Sequence, residues 1–413
     1  MLEPAPLFLR HKERLVLLVA LLLLFGVMVG LEYSRYHRLI TSKRSITQAQ
    51  VLNQYKKQSK WVLKLRSQEG YVFYTTSYED LADLRARWVK VMIFPKRITF
   101  WDYLRSFYAP AVILAVHRAD LRYRLYRQIV AQHENEQLGE LFGALFLATP
   151  LSKEIREKIA SFGVSHLVAI SGFHLGLIAG LLVFVFLYLL RPLFERFVPY
   201  ANLLFFASVI SMVAALLYLL FLGVVPSLVR SFVMMLFGFW LFHRHMRLLS
   251  FETLGWVVLF LIALFPRFAL SLAFWLSGMG VFVIYLFLRH FSSLRGWKLV
   301  VGLNFFVFWM MLPISIGIFH TFDMKMLLSP LLSLLFMVFY PLELLFHLLG
   351  IGGLADPLLG FLEWRGLGAS AELPSLFLGF YFLLLLLAVR YRAALYGAAL
   401  ASGVVVIYYL AKL

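Results

Sequence analysis

A chain of 413 residues that is 62% hydrophobic and 17% aromatic, with a mean hydropathy of +0.84, has too little polar surface for a water-facing fold. Unbroken apolar runs of 17 to 22 residues exclude an outer-membrane barrel, whose strands alternate, and the lack of cysteine excludes disulfides, Cys-ligated zinc, iron–sulfur clusters and thiol nucleophiles. Lys+Arg 39 against Asp+Glu 21 leaves +18, and where that charge falls says more than its size.

The predicted fold class is an all-α polytopic membrane protein of about ten helices, some broken or re-entrant, with a small β-rich module near the N-terminus. The first apolar run, 15–31, follows Arg10, Lys12 and Arg14. The bulky, charged Leu31-Glu32-Tyr33-Ser34-Arg35 that follows offers no small-residue cleavage site, so 1–34 reads as a retained anchor helix. Residues 35–100 are the water-soluble module, and 35–97 carry 14 Lys/Arg against four acids, net +10. Within it 61–66, 71–76 and 88–94 read as strands, the first two forming a hairpin around Glu69-Gly70. A small OB-like barrel displaying Trp61, Lys64, Arg66, Tyr71, Phe73, Arg85, Arg87, Trp88 and Lys90 would stack bases on its rings and follow phosphates with its cations. A solvated basic domain beside anionic lipid fits the same composition, and both readings stand on the residues alone.

Residues 101–150 alternate aromatic and basic side chains, from Trp101, Tyr103 and Arg105 to Tyr126 and Arg127, and read as interfacial amphipathic helices. Residues 151–413 are the membrane domain, with Ser152 capping a helix that puts Ile155, Ile159 and Phe162 on one face. Apolar runs follow at 172–190, 201–222, 226–242, 254–265, 268–288, 299–319, 326–349, 375–389 and 394–410. Six glycines and Pro357 between 350 and 374 break any helix there, so that stretch is predicted to be re-entrant. With the N-terminus in the cytoplasm, the inner loops 191–200, 243–253 and 289–298 hold seven Lys/Arg against two in the outer loops, which puts the basic module outside.

One stretch is unlike ordinary membrane sequence. His166-Leu-Val-Ala-Ile-Ser-Gly-Phe-His-Leu-Gly176 packs His166, Ser171, Gly172, His174 and Gly176 into the start of a long apolar helix, where polar groups are costly unless they face a cavity or a partner. Gly172 and Gly176 would let another backbone or a ligand approach closely. Arg230 lies four residues into its own apolar run, behind Pro226 and Ser227, and is a candidate phosphate contact. Glu343 and His347, one turn apart and deep in another run, are candidates for gating; Glu343 also follows Pro341, where it would satisfy backbone donors at a kink.

These residues carry a resemblance. The run Ser165-His-Leu-Val-Ala-Ile-Ser-Gly-Phe-His-Leu-Gly-Leu-Ile-Ala-Gly180, the helix 152–157 before it, and Gly223-Val-Val-Pro-Ser-Leu-Val-Arg-Ser231 closely resemble the ComEC family, the inner-membrane DNA channels of bacterial natural transformation. Weaker likeness at 268–277 and around Ser329-Pro330 extends the match to roughly residues 135–345, and the order of anchor, basic module and membrane core agrees. The resemblance implies single-stranded DNA as cargo and the bacterial cytoplasmic membrane as location. It also implies partners: an extracytoplasmic DNA-delivery protein and a cytoplasmic motor or single-strand-binding protein. Trp275 stands where members often carry glutamine, and Val224-Val225 replace small or polar residues. The sequence contains no His-x-His-x-Asp-His motif, so the expectation is a short form without the nuclease-like domain of longer members, any nuclease being a separate protein.

Two other functions compete. Ser171 and His174 suggest an intramembrane serine hydrolase, but residues three apart on a helix seldom align hydroxyl and imidazole, and no acid stands by to orient the base. A secondary transporter or flippase for an anionic solute would show internal repeats, and none is evident. His243-Arg-His245 lacks a third metal ligand nearby, and no Gly-x-x-x-x-Gly-Lys-Ser/Thr loop occurs. No cofactor, metal or catalytic residue is expected.

Overall fold

A computed structural model of the protein describes residues 10–79, 83–85, 87–117, 120–197, 200, 202–223, 226–243, 250–364 and 366–413. The chain forms two compact units, the first from Met1–Ser152, Ile170–Leu248 and Glu252–Trp275, the second from Lys153–Ala169, Leu249–Phe251 and Leu276–Leu413.

The first unit opens on helix His11–Thr41, whose apolar side chains are mostly exposed, as lipid-facing residues are. Strands β1 (Ser45–Lys57), β2 (Lys60–Ser67), β3 (Val72–Ser77) and β4 (Trp88–Ile93) follow. After helix Phe100–Arg105 come β5 (Phe107–Tyr108) and β6 (Ala111–Val116). The sheet order is β5-β3-β2-β1-β4-β6. Only Ala109 and Pro110 separate β5 from β6, so one bent segment runs parallel to β3 at one edge and antiparallel to β4 at the other. The predicted interfacial helices at 101–150 are therefore corrected for 107–116, where the aromatic and apolar side chains serve the sheet; helices Leu121–Val130 and Glu136–Leu147 occupy the rest.

Strand alternation explains the module's core. Ala49, Val51, Leu63, Leu65, Phe73, Val89, Val91 and Ile93 all point inward and are completely buried. Each large side chain so removed from water contributes about 1.5–3 kcal/mol, a driving force that membrane helices packed in lipid do not have. The β2–β3 hairpin runs from Trp61 opposite Ser77 to Arg66 opposite Val72, turning through Gly70 at φ +89, where only glycine is unstrained. β1 was not predicted. Its sequence is polar in both parities, and it is held by pairing with β4 along 45–50 and with β2 along 49–57.

Two ion pairs fix the anchor helix within this unit: Arg14 Nε lies 2.9 Å from Glu252, and Arg267 Nη2 lies 2.7 Å from Glu32. From Arg14 to Glu32 the helix rises about 27 Å at 1.5 Å per residue, close to the hydrocarbon thickness of a bilayer. Helix Phe251–Leu264 and the 3₁₀ turn Pro266–Leu270 carry the two partners, so this short segment covers the same depth as the anchor.

In the second unit, Val283, Leu286, Met310, Ile314, Tyr381, Leu385 and Ala398 form one buried cluster. Inside it Tyr381 Oη donates to Met310 O at 2.8 Å and lies 2.9 Å from Ser402 Oγ, a satisfied polar contact between helices. The glycine-rich stretch after 350 is a 3₁₀ helix, Gly352–Glu363, followed by Gly368–Ser370 paired with Thr321–Asp323.

Seven described helices are long and apolar enough to cross a membrane, and three shorter apolar ones, Leu228–Trp240, Phe251–Leu264 and Ser375–Ala388, accompany them. The sequence count of about ten includes these shorter helices. The protein is a multi-pass membrane protein.

Candidate nucleic-acid path

Three chain segments meet in the first unit, each at the start of a helix. Ser171 is the N-cap of helix Gly172–Phe184: its Oγ accepts from Phe173 N at 3.3 Å, while His174 Nδ1 accepts from Ser171 N at 3.3 Å. This reciprocal capping box sharply defines where the helix begins. It also engages both groups of the considered hydrolase pair, whose Oγ–Nδ1 separation is 3.5 Å. His174 is fully buried. Gly172 fits against the second segment, since a Cβ there would stand 2.7 Å from Ser231 Oγ. Gly176 faces open space, so the expected close approach holds for Gly172 and not for Gly176.

Pro226 and Ser227 begin helix Pro226–His243, and Pro226 suits a position that needs no N–H partner. One turn on, Arg230 is 6% exposed. Its Nη1 donates to Ala273 O at 3.1 Å, its guanidinium lies 5.8 Å from the Phe274 ring centre, and its Nε has no partner among the described residues. No carboxylate among the described residues pairs with it. Ala273 and Phe274 belong to the third segment, where Trp275 Nε1 donates to Ala269 O at 2.9 Å and its ring is half exposed. A buried cation held by one carbonyl and one ring, without a counter-ion, retains donors for an anion. Residues 224–225 and 244–249, including His245, lie outside the described residues.

His166 lies in the second unit, with Nδ1 3.1 Å from Gly163 O and Nε2 3.5 Å from Ser333 Oγ; Ser329 Oγ donates to the same Gly163 carbonyl at 3.2 Å. Glu343 and His347 are both buried there; His347 Nδ1 is 2.7 Å from Glu343 O and 3.5 Å from Glu343 Oε2. Among the described residues no cluster of three or more His, Asp or Glu is placed to hold a metal ion.

In the sheet module the structure divides the predicted residues by parity. Tyr71 and Phe73 are corrected: they are 1% and 0% exposed, their rings packed against Phe107 in the core, and no base can reach them. Burial pushes the Tyr71 phenol up to about 12. Arg85 is corrected too, since its guanidinium pairs with Asp83 and with buried Glu140. Arg87 donates to His117 O at 3.0 Å and lies over the Tyr123 ring, which ties the module to helix Leu121–Val130. Lys64, Arg66, Trp88 and Lys90 share the sheet's outer face. Register sets Gln48 opposite Lys90, Gln50 opposite both Trp88 and Arg66, and Lys64 opposite Tyr74. Lys64 Nζ sits 5.4 Å from the Tyr74 ring, and Lys56 Nζ 5.7 Å from Trp61. Tyr74, Gln50 and Ser231 were missed, although Tyr74 and Ser231 each neighbour a residue that was named.

A family model described as Competence protein matches residues 148–411. The chain belongs to the competence protein family. The match takes in the three helix starts that converge on Arg230, and membership gives the protein a role in DNA uptake in competence. The family is of channel type rather than a class of classical enzymes. Comparison with curated proteins and with solved structures gave no match.

Proposed function

We propose that the protein conducts single-stranded DNA across the bacterial cytoplasmic membrane during natural transformation, with its N-terminus in the cytoplasm and the sheet module outside. The observation that carries this reading is Arg230, a buried guanidinium with no acid paired to it among the described residues, where three helix starts of the family region converge. A polyanion cannot cross hydrocarbon, so its route must run where polar groups are gathered. The module is read as OB-like. Its long, bulged β1 is shared by two neighbours, β3 runs parallel to β5, and the bent 107–116 segment reaches both sheet edges. Its outer face interleaves Lys64, Arg66 and Lys90 with Tyr74 and Trp88, as a stacking platform for single strands requires. Energy comes from a cytoplasmic motor, a proton gradient or capture by single-strand-binding proteins, because the chain carries no P-loop.

The test follows labelled DNA in a transformable host carrying Arg230→Gln. Uptake across the outer envelope should persist while cytoplasmic DNA and transformants disappear. Transformation at the wild-type frequency, with the variant present at normal level, would remove Arg230 from the path.

A further inference from the structure

The outer face of the sheet and the turn at Gly223 share a cluster of three arginines, of which the path described above uses Arg66 alone. Gln50 and Arg66 are directly opposed on β1 and β2. If Gly223 bore a Cβ, Arg122 Nη1 would lie 3.8 Å from it and Gln50 Oε1 3.9 Å from it; Gly223 itself is exposed, at φ +81. Arg267 Nη1 lies 3.6 Å from the corresponding position on Gly70, in the β2–β3 turn that follows Arg66.

Two of the three cations have structural work. Arg122 donates through Nε and Nη2 to Leu147 O at 2.9 and 2.7 Å and through Nη2 to Ala148 O at 3.1 Å, which caps the C-terminus of helix Glu136–Leu147. Arg267 pairs with Glu32 and stacks 4.9 Å from the Tyr103 ring centre. Arg66 has no hydrogen-bonding or carboxylate partner among the described residues. Burial and the neighbouring Arg267 push its guanidinium below the usual arginine range; Arg122, itself lowered by burial, feels Arg66 as a further like charge. An anion seated between them relieves both penalties.

We propose that Arg66, with Gln50 beside it and Arg122 and Arg267 flanking, binds a phosphodiester and passes the strand from the sheet's outer face to the turn at Gly223. This rests on the DNA-conducting reading and adds a location and a contact to it. Gln50 supplies an amide that pairs with phosphate oxygen or base edge, and Lys64 with Tyr74 extends the same face away from the turn. A phospholipid headgroup presents the same phosphodiester chemistry, and the arrangement favours DNA because Arg66 stands in one row with Gln50 and the ring of Trp88, and the Lys64–Tyr74 pair follows on the same face.

The experiment uses the full-length protein in nanodiscs of phosphatidylcholine, with binding of a fluorescent thirty-nucleotide oligo-dT measured against salt. Arg66→Gln is expected to weaken binding about fivefold at moderate salt and to lower the log–log salt slope by about 0.7, one phosphate contact on a single strand. Arg66→Lys should keep the slope, and it preserves the test if the glutamine variant folds poorly. Wild-type affinity and slope in folded Arg66→Gln would overturn the assignment while leaving the DNA reading in place. No binding by the wild type at low salt would overturn the DNA reading and this subsite together. Loss of phosphatidylglycerol retained during purification, with oligonucleotide binding unchanged, would overturn it in favour of a lipid headgroup.

Discussion

Replacing Gly172 with alanine tests whether the helix start at Ser171 is seated against Arg230's helix by close approach. The added Cβ would stand 2.7 Å from Ser231 Oγ and 3.2 Å from Ser231 Cβ. Rotation about the Ser231 side-chain bond removes the first clash. The second is set by two backbones, so the helices must part by a few tenths of an ångström. Overpacking costs about 1–3 kcal/mol, and with a single remaining atom pair the low end applies, about 1 kcal/mol. The parting also moves Arg230, adjacent to Ser231, against the Ala273 carbonyl it holds at 3.1 Å. The assay is a double-mutant cycle of Gly172→Ala and Ser231→Gly, read as thermal unfolding in detergent and as transformation frequency. Ser231→Gly alone should cost about 1 kcal/mol as a helix glycine, yet it should recover Gly172→Ala with a coupling of about 1 kcal/mol. Additive losses in stability, with no recovery of transformation in the double variant, would refute the close-approach argument.

Glu140→Ala should destabilise the protein by about 3 kcal/mol in chemical or thermal unfolding, because it leaves Arg85 without its buried partner; Glu140→Ala with Arg85→Met should recover much of that. Tyr71 titrates in the folded module at about 12 against an ordinary 10, so its contribution to stability is whole below pH 10 and is lost as pH climbs toward 12. Phenolate absorbance should show one late-titrating tyrosine fewer in Tyr71→Phe. Reversing the anchor ion pair, Glu32→Arg with Arg267→Glu, should recover most of the stability lost in either single variant, measured as the unfolding midpoint in detergent.

Much of the membrane architecture was legible in the chain, because a bilayer imposes a length and a composition on each crossing that any apolar run displays. The hairpin at Glu69-Gly70 and the cap at Ser171 were legible for a local reason: a turn or a helix start is specified within a few residues. The sheet's two faces were less so. Naming Phe73 instead of Tyr74 is an error of one residue, and in a strand one residue exchanges core for surface. β1 carried no alternation to read, since its place is set by two partners distant in sequence.

Composition and local pattern thus determined by themselves that this is a multi-pass membrane protein with a basic module after its first helix, and motif residues pointed to the competence family. Tertiary structure alone decided which cations are available. Arg85, Arg122 and Arg267 are equally basic in sequence, yet each is held by Glu140, by the carbonyls of Leu147 and Ala148, or by Glu32, whereas Arg66 and Arg230 have no acid partner among the described residues. The charge of a side chain is written in its residue type, but its partners come from elements far away in the chain, and those partners decide what remains to bind an anion.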